Sequence, residues 1–252
     1  MIPYYSFESF QIGIFKFYVW GSFLSLALLV GMICVFACTQ KIGWPKIKTV
    51  NLILSIYIGA LLGARFFYFL QPGIKASWRL FFDFNQGGLT FYGGLFGGIL
   101  AGWFYLKKQG NWPKLLDVFA PIVLFSLAIG RVGCFLINDH QGAETHFSWA
   151  IRWPDGTLRH PVALYLIIFD LLLFIFLHFY AKRAKWPGQV FWLFLFIYSL
   201  GRFFLDFMRE PSVDPRYFNL AASQWISLVL LTLSVSYLIL KKGKIRTGIS
   251  SF

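Results

Sequence analysis

Three arginines stand inside apolar stretches where a charge is costly: Arg65 in GALLGARFFYFL, Arg131 in SLAIGRVGCFLI and Arg202 in YSLGRFFLDFM. A guanidinium at the centre of a membrane helix costs about 2.5–3.5 kcal/mol, and less near an end. Three of them call for a compensating interaction. The guanidinium fork matches the oxygens of a phosphate bidentately. In apolar surroundings, the chemistry these residues point to is capture of a phosphate-bearing lipid. A plainer reading has them snorkel to headgroups or pair locally, as Arg202 and Asp206 are spaced to do at i,i+4. Asp139 and Asp206 are the acidic residues expected at the arginines' level. Tyr198, Arg202 and Asp206 recur every four residues and so share one helix face.

A second candidate cluster is GGLTFYGGLFGG. Gly94, Gly98 and Gly102, four apart, suit close helix packing. The pairs Gly87–Gly88 and Gly93–Gly94 flank Tyr92 and would let a lipid or a loop approach the backbone around the phenol. Cys34, Cys38 and Cys134 form neither a disulfide framework nor a zinc site. No metal or cofactor motif is visible.

The elements that must position these residues are membrane helices. Of the 252 residues 58% are hydrophobic and only 13% charged, where a soluble domain is about a quarter charged. With about 20 apolar residues needed per crossing, the chain divides into seven spans near 12–37, 48–70, 89–106, 115–137, 161–181, 187–207 and 220–240. The fold expected is an all-α polytopic membrane protein, with 1–252 as a single transmembrane domain. Residues 138–160 are expected to form a small extracytoplasmic head. The start, MIPYYSFESF, lacks the basic n-region and cleavage site of a signal peptide, so the first helix is expected to stay.

Basic residues set the direction. Lys41, Lys46 and Lys48, then Lys107, Lys108 and Lys114, then Lys182, Arg183 and Lys185 fill alternate loops, and Lys241, Lys242, Lys244 and Arg246 fill the tail. The opposite loops carry only Lys75, Arg79, Arg152, Arg159, Arg209 and Arg216. The N-terminus is therefore expected outside and the C-terminus in the cytoplasm. Arg65, Arg131 and Arg202 then fall in the last turns of outward-running helices, at one depth in the outer leaflet. The net charge of +13 is a topology signal, not a nucleic-acid footprint, because no basic face stands apart from these loops.

Motifs in order along nearly the whole chain resemble the bacterial prolipoprotein diacylglyceryl transferase family. IPYYSF is similar to its N-terminal segment, GARFFYFL to its second-helix arginine motif and GGLTFYGGLFGG to its HGGL motif. GRVGCFLINDHQG is similar to its GR-x-GNFIN-x-E-x-x-G signature, and RHPVALY to RHPSQLYE. GRFFLDFMREP is similar to RF-x-x-E-x-x-R-x-P, and AASQWISL to the last helix's Gln-x-x-Ser. The resemblance implies a cell-membrane enzyme that moves the diacylglyceryl group of phosphatidylglycerol onto the lipobox cysteine thiol of a prolipoprotein, forming a thioether and releasing glycerol phosphate. Its implied partners are phosphatidylglycerol, the prolipoprotein signal peptide and the lipid bilayer. Carried over by motif, Arg131 and Arg202 bind phosphate, with Tyr198, Gly133 and Gly142 shaping the site and Arg65 ordering it.

The sequence departs from the family pattern at informative positions. Tyr92 stands where the family has histidine, Cys134 where it has asparagine, Asp139 and Asp206 where it has glutamate, and Leu166 replaces the glutamate of the LYE motif. Loss of the histidine bears on the proton of the acceptor thiol, since tyrosine is a poor base unless neighbouring arginines lower its pKa. Three readings stand: Tyr92 activated by arginine, His140 or His160 in its place, or no dedicated base because a thiol is already partly ionised and phosphate can accept the proton. Two further functions compete with the transferase: a relative using another lipid or thiol acceptor, and a non-catalytic phospholipid-binding protein.

Overall fold

In hydrocarbon, every backbone N–H and C=O must be satisfied within its own segment, so long runs of Leu, Ile and Phe are dictated to be helical. The computed structural model describes residues 1–70, 90–110, 112–139, 141–212 and 216–246. Lys75, Arg79, Gly87, Gly88 and His140 lie outside the described residues. The described helices are α1 (Val19–Lys41), α2 (Lys46–Phe69), α3 (Phe91–Leu106), α4 (Trp112–Ile137), α5 (Val162–Tyr180), α6 (Gln189–Leu205) and α7 (Ala222–Arg246). Six of them are long and apolar enough to cross a membrane; α3 is not among them. At 16 residues it spans about 24 Å, against a hydrocarbon core of about 30 Å. The chain is a helical, polytopic membrane protein.

The all-α expectation needs one amendment: the loops carry short strands. Residues 9–18 were expected within the first span from position 12, but they form an antiparallel hairpin, β2 (Ser9–Ile12) on β3 (Phe15–Tyr18). Gly13, at φ +60°, makes the turn, a conformation glycine adopts without steric cost. Before it, β1 (Ile2–Pro3) runs parallel to β4 (Ile151–Arg152), which pairs antiparallel with β5 (Leu158–Arg159). β6 (Arg216–Tyr217) and β7 (Leu220–Ala221) close a small hairpin ahead of α7.

The chain divides into two compact units, Val35–Leu115 and the remainder, Met1–Cys34 with Leu116–Phe252. In the first unit α2 and α3 pack backbone to backbone. A Cβ on Gly97 would overlap the Gly59 carbonyl, and one on Gly93 would overlap the Gly63 carbonyl. The Gly94, Gly98 and Gly102 line expected to make this contact is the looser one, with added Cβ atoms meeting neighbours at 3.4, 3.4 and 3.0 Å. The reason is the 3.6-residue period: the two glycine lines are adjacent, and α2 presses on the one that includes Gly93 and Gly97. Thr90 locks the start of α3, its N–H and its hydroxyl both donating to the Ala64 carbonyl at 3.1 Å.

In the larger unit, Ala120 and Leu124 of α4, Leu173 and Leu177 of α5, and Val190 and Phe194 of α6 form the buried core. Asp117 of α4 caps α6 from outside: its carboxylate accepts from the Gly188 N–H at 2.6 Å and the Phe191 N–H at 2.9 Å. It satisfies donors that a helix N-terminus leaves open and complements the dipole there. Gln224, wholly buried, ties α7 to α6 by accepting from Ala221 N–H at 2.8 Å and donating to the Phe203 carbonyl at 3.1 Å. The Gln and Ser of AASQWISL thus hold the fold, with Ser227 bonding back to the Ser223 carbonyl.

Candidate active site

The larger unit brings α4, α5 and α6 together around two buried guanidiniums. Arg131 on α4 donates from Nε to Asp170 of α5 at 2.8 Å and from Nη2 to the Tyr198 hydroxyl of α6 at 3.2 Å. The Asp170 side chain is wholly buried, and its second oxygen, Oδ1, has no hydrogen-bond partner. One turn further along α6, Arg202 Nε lies 3.2 Å from Asp206 Oδ2, and Asp206 Oδ1 lies 3.7 Å from Arg209 Nε. Among the described residues Arg202 Nη1 is buried with no hydrogen-bond acceptor, and both Asp206 oxygens are likewise buried without a hydrogen-bond donor. Such an orphan donor loses its hydration without replacement, which costs more for a charged group than for a neutral one.

This cluster was only partly legible beforehand. Arg131, Tyr198, Arg202 and Asp206 come together as their shared motifs implied, and the Arg202–Asp206 pair proposed from spacing is present. Asp170 was missed. Its signal was a lone carboxylate in the apolar run LYLIIFDLLLF, which was read as a plain span.

Loop segments cover the C-terminal ends of α4 and α6 and the N-terminal end of α5. Asn138, at φ +52°, ends α4 in a left-handed turn. The IPYYSF segment lies along this end: Phe7 N–H donates to the Leu136 carbonyl at 2.9 Å and Ser6 Oγ to the Ile137 carbonyl at 3.2 Å. Asn138 Nδ2 donates to the Tyr5 carbonyl, and the Tyr4 ring packs 4.9 Å from that of Trp153. Gly133 sits under the start of α1, where a Cβ would meet the Phe23 side chain at 2.8 Å. A cavity of about 580 Å³ is lined by Glu8, Tyr18, Trp20, Ile137 and Asp139. Asp139 therefore opens on a cleft beside α1. Gly142 has no room for a side chain, since a Cβ would overlap the His160 carbonyl.

His160 Nδ1 lies 3.2 Å from the Tyr165 hydroxyl, and burial pushes its imidazole below the ordinary value. That burial favours the neutral imidazole, the form that accepts a proton. In the smaller unit Arg65 is 1% exposed, its guanidinium 5.8 Å from the rings of both Tyr68 and Phe69. Tyr92, on the first turn of α3, is 65% exposed, and the backbone at Gly93 is approached by α2. Leu166, where the LYE motif has glutamate, is wholly buried one turn before Asp170.

Comparison with known proteins places the chain in a family. The profile of the family described as prolipoprotein diacylglyceryl transferase matches residues 8–240. A phosphatidylglycerol–prolipoprotein diacylglyceryl transferase of Polynucleobacter necessarius is 32% identical over 96% of this chain and 98% of its own length. The protein of the same description from Clostridium tetani is 30% identical over 90% of this chain and 94% of its own. One from Idiomarina loihiensis is 33% identical over 81% and 80%. The match runs through the motifs that carry Arg131, Tyr198, Arg202 and Asp206, and on that extent this chain belongs to the prolipoprotein diacylglyceryl transferase family.

Proposed function

We propose that this chain transfers the diacylglyceryl group of phosphatidylglycerol to the lipobox cysteine of a prolipoprotein, with the arginine cluster of α4, α5 and α6 holding the phosphate. The observation that carries this reading is Arg202 Nη1, a buried cationic donor without a protein acceptor. The pairing supports it: Arg131 and Arg202 are each held by a carboxylate, Asp170 and Asp206, and two guanidiniums so fixed suit the oxygens of a phosphodiester.

In this reading the acceptor sulfur attacks the glyceryl carbon. The C–S bond forms as the C–O bond to phosphate breaks, and its electron pair leaves on the phosphate oxygen. Arg131 and Arg202 stabilise the charge that gathers there, the role of an anion hole. Asp170 and Tyr198 hold Arg131 in place, and Asp206 holds Arg202. The thiol proton goes to Tyr92, to His140 or His160, or to the departing phosphate. Arg65, Gly93, Gly94 and Asp139 complete the site by motif, and Gly133 and Gly142 shape the signature loop.

The reading includes a topology: N-terminus outside, C-terminus in the cytoplasm, α3 as a seventh and shorter crossing, one transmembrane domain over 1–252 and a 138–160 head outside. The cluster then lies in the outer leaflet, where a signal-peptide cysteine emerges. The test is complementation of a cell depleted of its own transferase, with mass spectrometry of a reporter lipoprotein. Thioether-linked diacylglycerol is expected with the wild-type chain and is absent with Arg202→Ala. A well-inserted wild type that never yields the thioether favours another lipid or acceptor, or binding without catalysis. Full activity in Arg202→Ala removes the phosphate site.

A further inference from the structure

Among the described residues, Arg159 makes side-chain bonds to each of the three loop stretches at the outer ends of α4, α5 and α6. The first stretch, 141–145, follows α4. The second, 157–160, leads into α5. The third, 208–210, follows α6. They are sewn together by backbone bonds: Ala143 N–H to Met208 O at 2.8 Å, Glu210 N–H to Gln141 O at 3.1 Å, His160 N–H to Ala143 O at 3.0 Å and Thr145 N–H to Leu158 O at 2.8 Å. Across this seam Arg159 Nη1 donates to Glu210 Oε2 at 2.8 Å and to the Gly142 carbonyl at 3.3 Å, while Nε donates to Thr157 Oγ1 at 2.9 Å. Nη2 lies 3.5 Å from Glu144 and 3.8 Å from Asp155. The Arg159 side chain is 11% exposed, and Glu210 is 23% exposed against 67% for Glu144 and 51% for Asp155.

We infer that Arg159 is a positioning residue for the transfer reaction, fixing the separation of Arg131 and Arg202 by clamping the signature loop at Gly142 to Glu210. This rests on the proposed function for its kinetic consequence, though not for its geometry. The bonds it makes are unequal. Glu210 and the Gly142 carbonyl share one nitrogen, and they belong to segments that follow the two arginine helices. Glu144 and Asp155 sit on the rim, and neither reaches the segment that follows α6. A neutral side chain at 159 leaves Glu210 without its cation and lets α4 and α6 drift at the ends nearest the cluster. The reaction needs both guanidiniums on one phosphate, so a shift of this kind acts on turnover rather than on capture of the lipid.

The experiment uses the full-length chain in phosphatidylglycerol-containing nanodiscs with a lipobox peptide. Arg159→Gln is expected to lower kcat by roughly 10–100-fold, the scale of a displacement of about 1 Å in an oriented site, with KM for phosphatidylglycerol unchanged. Arg159→Lys, which keeps the charge on Glu210 but not the fork, recovers part of the loss. Glu144→Gln retains wild-type kcat. The double variant Arg159→Gln/Glu210→Gln is no worse than Arg159→Gln alone, because the two residues act as one unit. Wild-type kcat in Arg159→Gln overturns the inference. So does a raised KM at constant kcat, or a loss of kcat matched by an equal loss in Glu144→Gln.

A readout independent of activity separates this inference from the functional reading. Nitroxide labels at Ile137 and Phe207 report the spacing of the α4 and α6 ends by dipolar coupling. The coupling is expected to broaden in Arg159→Gln and in Glu210→Gln, and an unchanged distribution in both sinks the clamp even if the wild type proves to transfer nothing. Should Arg159→Gln fail to insert, Glu210→Gln decides alone, since it keeps the cation and removes only the crossing bond.

Discussion

The two units are each held together by different means. In the smaller one, Arg65 lies against the rings of Tyr68 and Phe69, and α2 is held to α3 through bare backbone at Gly59, Gly63, Gly93 and Gly97. Around Arg131 the neighbours are a carboxylate and a phenol from two other helices. Glycine packing buries peptide against peptide through van der Waals contact and exposes no reactive group. The ion network instead leaves buried polar atoms without hydrogen-bond partners among the described residues, at Arg202 Nη1, Asp170 Oδ1 and both Asp206 carboxylate oxygens. The first arrangement suits rigid packing of two helices and the second the binding of a charged group.

That contrast breaks most severely at Asp170. Asp170→Ala leaves Arg131 as an uncompensated buried cation, a loss on the order of 3–5 kcal/mol, and denaturation of the detergent-solubilised protein should show it together with lost turnover. In the smaller unit Gly97→Leu is expected to cost about 1–3 kcal/mol through overpacking, read as a lower Tm. If turnover per folded molecule falls by as much as in Asp170→Ala, the division between scaffold and site is wrong.

Smaller effects sharpen the boundary. Asp117→Ala removes the cap of α6 and should cost about 1 kcal/mol, with kcat per folded molecule retained; a loss of kcat beyond the folded fraction would make the cap part of the site. The least effect is expected at Asp155, fully exposed to solvent. The Thr157 hydroxyl and then the Thr157 N–H hold its carboxyl below the ordinary value. A depressed carboxylate contributes its stability above the unfolded pKa and loses it as pH falls through the folded one. Asp155→Asn should therefore be slightly less stable than the wild type at neutral pH, and this small difference should vanish as pH falls below about 4. A difference that changes between pH 6 and 7 would count against that assignment.

How much was legible beforehand depended on how far apart the partners lie in the chain. Arg202 and Asp206 could be paired on paper because the helical period alone brings positions four apart onto one face. Arg131 and Asp170 could not: they lie 39 positions apart on α4 and α5, and no spacing rule joins them. The glycines of α3 announced close packing, yet which of two adjacent lines makes the contact depended on the rotation of α2 against it. The first span was set too early because Ile12, Ile14, Phe15 and Phe17 are as apolar as the helix they precede. The Gly13 turn makes them a hairpin.

The sequence by itself determined that this chain is a membrane protein, where most of its helices lie, which arginines are anomalous and which family its motifs belong to. Those properties follow from hydropathy, period and local order, which are linear. Only the tertiary structure decided that Arg131 answers to Asp170, that Arg202 keeps a free buried donor and that Arg159 binds the three loop ends together. Each of these depends on side chains from distant segments meeting within about 3 Å, a distance that helix packing sets and linear order does not.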